Sequence, residues 1–127
     1  MLLISHGIDI VELARIAASL RFSPDDFLEG TLTEAERGLA GEPAEWAGYY
    51  GGRLAAKEAV AKALGTGFSG EVSWADVEIL RLPSGQPEVR LSGGAKAVAD
   101  GLGVTRWLLS ISHSSSFAVA SAVAVSD

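Results

Sequence analysis

The sequence predicts an α+β fold: a mainly antiparallel sheet packed against one long helix and several shorter ones. Three observations carry this reading. Residues 2–13 alternate as a strand does, the run from Ala44 to Leu64 keeps helical stripes, and the chain closes on two successive strand-like stretches, Thr105 to Ser112 and Phe117 to Val125. Strands and helices in unequal blocks with a closing antiparallel pair fit α+β rather than a wound parallel sheet.

Each element has its own warrant. In the first strand Ile4, His6, Ile8 and Ile10 share one side and Ser5, Gly7, Asp9 and Val11 the other, which places Asp9 off the apolar face and reads His6 as strand packing. A short helix can follow through Arg15 to Leu20, and Ser23-Pro24-Asp25-Asp26 has the composition of another helix start. Thr33 and Glu36 stand at capping-box spacing at the head of the next. Pro43 heads the long helix, and Gly65-Thr66-Gly67 ends it. One stripe of that helix holds Trp46, Tyr49, Arg53, Ala56 and Val60; a second, with Leu54, Glu58, Ala61 and Lys62, carries the charges. Val77 to Leu82 and Glu88 to Leu91 read as strands joined by Pro83-Ser84-Gly85-Gln86-Pro87, and Gly94 to Leu102 as a helix. The last strand has a uniformly small face of Ala118, Ala120, Ala122 and Ala124, suited either to the core or to close packing against another sheet.

At 127 residues, with 48% hydrophobic and 20% charged, the chain is expected to be one globular domain spanning 1–127. Without cysteine it has no disulfide, no thiolate metal site and no cysteine nucleophile. Ten Lys and Arg against 16 Asp and Glu, a net charge of −6, argue against non-specific nucleic-acid binding. A few basic residues focused in one cleft would still hold an anionic ligand. The apolar runs fall short of the roughly 20 residues that cross a bilayer, and Met1-Leu2-Leu3-Ile4 lacks the basic start of a secretory signal, so no membrane association and a cytoplasmic location are expected.

Three places could carry chemistry. Asp9 is unusual because aspartate is depleted from strands, although a solvated position or a helix cap would also account for it. Glu58 and Lys62, four apart, would ordinarily form an exposed helical ion pair worth about 0.2–0.5 kcal/mol. In an alanine-rich helix ending in Gly-x-Gly, the same two groups would suit a magnesium-bound phosphate, the carboxylate on the hard cation and the ammonium on an oxygen. His113 closes a strand among Ser112, Ser114, Ser115 and Ser116, where the hydroxyls serve turn chemistry or phosphate equally.

Together these segments resemble a known family. Gly7-Ile8-Asp9-Ile10-Val11-Glu12, Leu32-Thr33-Glu34-Ala35-Glu36, Gly52-Arg53-Leu54-Ala55-Ala56-Lys57-Glu58-Ala59, Lys62-Ala63-Leu64-Gly65-Thr66-Gly67, Gly85-Gln86-Pro87 and Ser110-Ile111-Ser112-His113-Ser114 follow the order and spacing of the holo-acyl-carrier-protein synthases, small 4'-phosphopantetheinyl transferases. The resemblance implies that family's fold. It also implies transfer of phosphopantetheine from coenzyme A to a serine of an apo acyl carrier protein, with release of 3',5'-ADP. By the family pattern Asp9 and Glu58 would hold magnesium, and Lys62 would hold a phosphate oxygen. Arg53, His113 and Ser114 would hold other phosphates of the coenzyme, and Gly85, Gln86 and Pro87 would border the nucleotide. The serine proton would go to Glu58 or to a metal-bound water. The resemblance further implies a homotrimer with sites between adjacent chains.

The chain departs from the family pattern at three places: Gly30-Thr31 stands where an arginine usually precedes Leu-Thr, Gln86 where a lysine is frequent, and Glu42-Pro43-Ala44-Glu45 where basic residues are common. Arg15 and Arg21 would therefore carry more of the docking of an acidic carrier protein. The alternative reading is a non-catalytic paralogue that binds coenzyme A or a carrier protein, suggested by the acidic surface. The joint presence of Asp9, Glu58, Lys62 and His113 favours the enzyme, since a binding module has no need of paired carboxylates.

Overall fold

The strand that opens the chain and the one that closes it pair directly in a computed structural model, which describes all 127 residues. Along the chain come β1 (Leu2–Glu12), α1 (Leu13–Phe22), α2 (Pro24–Thr31), α3 (Glu34–Gly38) and a 3-10 turn at Pro43–Glu45. Then follow α4 (Trp46–Leu64), a second 3-10 turn at Trp74–Asp76, β2 (Val77–Arg81), β3 (Pro87–Leu91), α5 (Gly93–Leu102), β4 (Arg106–His113) and β5 (Phe117–Ser126). The main sheet is antiparallel in the order β1-β5-β4, with β2 and β3 as a separate antiparallel hairpin. The predicted α+β architecture is the one observed. The long helix starts two residues later than the sequence suggests, because Pro43 opens a 3-10 turn and the α-helix proper begins at Trp46 rather than Ala44.

The core lies between α4 and the sheet. Ala55, Ala56, Ala59 and Val60 of α4 meet Ala120, Ala122 and Ala124 of β5 and Val77 and Ile79 of β2. Val60, Val77 and Ile79 are wholly buried, each worth roughly 1.5–3 kcal/mol by removal from water. Alanine on both facing surfaces lets helix and sheet approach closely. The alanine stripe of β5 is thus core within one chain and is not free to pack on another sheet.

Gly7 sets the closest approach. A Cβ there would overlap the carbonyl oxygen of Ala59, so only glycine allows α4 to lie on β1 at this point. This reverses the expected faces of β1. Gly7, Asp9 and Val11 look toward the helix, while Ile8 and Ile10 are 60% and 64% exposed and His6 is exposed rather than packed. Alternation alone would turn Ile8 and Ile10 to the helix, but the close contact at Gly7 decides that the other face meets it.

The helix itself is enclosed on most sides. Tyr50 to Arg53, Ala55 to Lys57 and Ala59 to Ala61 are all buried, in place of the single apolar face expected of it. Lys57 is fully buried and donates to the equally buried Glu36 at 2.7 Å. Glu36 also accepts the backbone N–H groups of Thr33 and Ile79, so one carboxylate ties the capping box of α3 to β2 and to α4.

Candidate active site

Asp9, Glu58 and Lys62 come together where β1 crosses α4. The close approach at Gly7 brings Asp9, two residues on and on the same strand face, against the last turns of the helix. Lys62 reaches from the helix to the strand and donates to the Asp9 carboxylate at 2.9 Å and to the Ile8 carbonyl at 3.0 Å. The expected helical pair with Glu58 does not form, because the strand offers Lys62 a carboxylate and a carbonyl together. Lys62 remains 51% exposed while Asp9 is 17% exposed, so the ammonium is open to a ligand over a partly covered carboxylate. Burial first, and then the neighbouring Asp9 charge, push the Glu58 carboxyl above its usual range; Lys62 opposes this only in part. Two carboxylates that repel each other are a donor set suited to a hard cation. Magnesium, which commonly takes one or two protein carboxylates plus phosphate oxygens and water, fits it.

A second group lines an open cleft of about 1070 Å³ on another side of α4. Arg53 and Glu58 are five residues apart, which turns them roughly 140° from one another around the helix. Accordingly Arg53, His113, Ser114, Gly85 and Pro87 line the cleft, and Asp9, Glu58 and Lys62 do not. Gln86 also stays outside it, exposed in the β2–β3 turn. The residues expected to form one site are therefore divided in a single chain into two groups.

The cleft is built around Tyr49 and Gly48. The Tyr49 hydroxyl donates to the Glu36 carbonyl, and the Arg53 guanidinium lies 4.6 Å from the centre of the Tyr49 ring. Burial raises the Tyr49 pKa, and the Arg53 charge opposes the rise. Arg53 is 5% exposed and its Nε is buried without a partner, while the residue as a whole borders the cleft. The imidazole of His113 packs where a side chain at position 48 would begin, within 2.9 Å of a Cβ built on Gly48. Arg15 and Arg21 lie apart from both groups, exposed on α1, with Arg21 5.7 Å from the ring centre of Phe22, itself 75% exposed.

The sequence gives Arg81 and Tyr49 no role in the site and does not pair Glu36 with Lys57. Glu36 shows there only as half of a capping box. Lys57 carries a faint signal, a charge amid alanines one helical turn beyond Arg53. No helix is long and apolar enough to cross a membrane.

The model of the 4'-phosphopantetheinyl transferase superfamily matches residues 5–121. The holo-[acyl-carrier-protein] synthase of Beutenbergia cavernae is 45% identical over 126 residues, covering 99% of each chain. Two solved structures share the fold. One is a holo-(acyl-carrier-protein) synthase from Bacillus anthracis in complex with CoA (3',5'-ADP), with TM-score 0.82, 39% identity and 100% coverage of both chains. The other is the Helicobacter pylori holo-[acyl-carrier-protein] synthase in complex with coenzyme A, with TM-score 0.83 and 34% identity, covering 94% of this chain and 99% of that one.

Proposed function

This chain belongs to the 4'-phosphopantetheinyl transferase superfamily, and from that premise we propose how its two residue groups perform the reaction of a holo-acyl-carrier-protein synthase. The enzyme transfers the phosphopantetheine of coenzyme A to a serine hydroxyl of an apo acyl carrier protein. The serine oxygen forms a bond to the phosphorus on the pantetheine side of the pyrophosphate, its proton passing to Glu58 or to a water beside it, while the bond to the other phosphate breaks and 3',5'-ADP departs. Such displacement depends on positioning and charge neutralisation more than on covalent help.

Asp9 and Glu58 would hold magnesium, which when bound supplies charge neutralisation to the pyrophosphate. Lys62, already lying over Asp9, turns its ammonium to a phosphate oxygen without leaving the carboxylate's vicinity. Arg53 presents a guanidinium held over the Tyr49 ring at the border of the cleft, a planar donor suited to a phosphate. His113 and Ser114 add a donor each at the mouth of the cleft, and Gly85 and Pro87 form a side-chain-poor wall for the nucleotide. The exposed pair of Arg15 and Arg21, with Phe22 beside them, offers an acidic carrier protein cationic and apolar contacts on one helix.

The division of the site fits a homotrimer in which Asp9, Glu58 and Lys62 of one protomer face the cleft of its neighbour. The outer face of the main sheet favours such an assembly. Ile8, Ile10, Leu108, Phe117 and Val119 are between 36% and 64% exposed there, an apolar surface of the kind that association covers.

The observation that carries the catalytic reading is the convergence of Asp9 and Lys62, 53 positions apart, beside a Glu58 whose carboxyl is pushed up by burial. The test is a mass-shift assay on a panel of apo carrier proteins with coenzyme A and magnesium. The expected outcome is a phosphopantetheine adduct on at least one carrier protein, lost in excess chelator and in Asp9→Ala, with the variant's fold retained by circular dichroism. Undiminished modification in chelator would remove the metal assignment, and no modification of any carrier protein would favour the non-catalytic paralogue.

A further inference from the structure

Arg81 ends β2 on the wall of the cleft that also holds Arg53, His113, Gly85 and Pro87. It is exposed, and no carboxylate or carbonyl is bonded to its guanidinium, in contrast to Arg90 and Arg106, which are tied to Glu88 and Asp127. Its backbone is fixed. Arg81 pairs with Pro87 across the hairpin, and the turn between them is closed by Leu82 N–H to the Gln86 carbonyl and Gly85 N–H to the Leu82 carbonyl, each at 2.8 Å. Arg81, Arg53 and Tyr49 line the same cleft, so two guanidiniums, one from the hairpin and one from the helix, border a single space. Two other charged residues of the lining, Glu12 and Glu45, are acidic, and the stretch Glu42 to Glu45 holds no cation. The permanent positive charge in this cleft therefore falls to Arg53, largely covered, and Arg81, free, beside the donors of His113 and Ser114.

Coenzyme A carries a pyrophosphate and, on the ribose, a 3'-phosphate monoester with a charge of about −1.5 to −2 at neutral pH. Given the transferase reading, on which this inference rests, the pyrophosphate belongs with Asp9, Glu58 and Lys62. The phosphate left for the arginine side is then the monoester. We propose that Arg81 is the residue by which this chain selects the 3'-phosphate of coenzyme A, supplying from the β2–β3 hairpin the cation that residues 42–45 lack. Arg53 holds the group from the helix side and Arg81 closes on it from the hairpin side, so that two planar donors share one dianion.

The experiment is calorimetric titration of the full chain with coenzyme A and, separately, with 3'-dephospho-coenzyme A, for the wild type, Arg81→Gln and Arg81→Lys. Charge-assisted bonds of this kind correspond to an expected loss of about tenfold or more in coenzyme A affinity for Arg81→Gln. Its affinity for the dephospho compound should stay within about twofold of wild type. Arg81→Lys should recover part of the loss, and it guards against misfolding of the glutamine variant. Equal weakening toward both ligands, or no weakening toward either, overturns the assignment. A wild type that binds coenzyme A without preferring it to the dephospho compound overturns it alone; a wild type that binds neither overturns the transferase reading with it.

Discussion

Glu58 is held where a carboxylate is least comfortable, half-buried and beside Asp9, and both influences raise its pKa above the ordinary value of 4.5. The folded protein therefore keeps the Glu58 proton to a higher pH than the unfolded chain does. The stability this group contributes is fully present below about pH 4.5 and is lost as the pH rises through the folded pKa. At neutral pH, without a divalent cation, the ionised side chain opposes folding. Glu58→Gln is expected to melt above the wild type at pH 7 in metal-free buffer, with the difference closing as the pH approaches 4, while phosphopantetheine transfer falls to background. Stability and activity would then move in opposite directions, as at sites kept strained for function. A glutamine variant that melts below the wild type at pH 7 would mean that the carboxylate is held by favourable partners rather than by constraint. At this scale the sequence was informative where chemistry is rare, as with an aspartate in a strand. It was silent about Arg81, because an arginine at a strand end is ordinary until the cleft beside it is seen.

The long helix α4 shows how far element-level reading goes. Its end at Gly65, the existence of β1 and β5 and the capping box of α3 all follow from periodicity and cap chemistry. Its enclosure does not. Alanine and glycine give a weak amphipathic pattern, yet their small size is what lets β1, β5, β2 and α1 all close on the helix, and Lys57 is buried as a result. Burying that ammonium lowers its pKa, and Glu36 at 2.7 Å opposes the shift. Removing one partner of a buried pair leaves an uncompensated charge, so Lys57→Met should cost about 3–5 kcal/mol in chemical denaturation. The double variant Glu36→Gln with Lys57→Met should cost less than the sum of the two single changes, the mark of coupling in a shared network. A methionine at 57 that leaves stability within about 1 kcal/mol of wild type would show that the pair specifies the arrangement of α3, β2 and α4 without holding it together. The same limit explains the inverted faces of β1. Alternation fixes which residues share a face, and a packing event elsewhere, the contact of Gly7 with Ala59, fixes which face is inside.

For the whole molecule, the division of the site and the exposed sheet face bear on one question. Arg53 and Glu58 point roughly 140° apart on one helix, so a ligand large enough to meet both groups has to bridge two surfaces. A neighbouring chain packed on the apolar face of Ile8, Ile10, Leu108 and Val119 would provide the second surface and cover the first exposure. Nothing in the sequence encodes symmetry, and the alanine stripe that could have signalled sheet packing belongs to the core of a single chain. If each site takes Glu58 from one protomer and His113 from the next, His113→Ala and Glu58→Ala chains that are separately inactive complement on mixing. With equal amounts and random exchange, a site is intact when one position holds the Glu58-bearing chain and the next the His113-bearing chain, one half times one half. About a quarter of wild-type turnover is then the expected recovery in a closed ring. Subunit exchange is followed by mass, and turnover by carrier-protein mass shift on the same sample. A monomer by light scattering, or no recovery once exchange is demonstrated, would place both residues in sites completed within one chain, and the cleft and the carboxylate group would then have to come together by movement of α4.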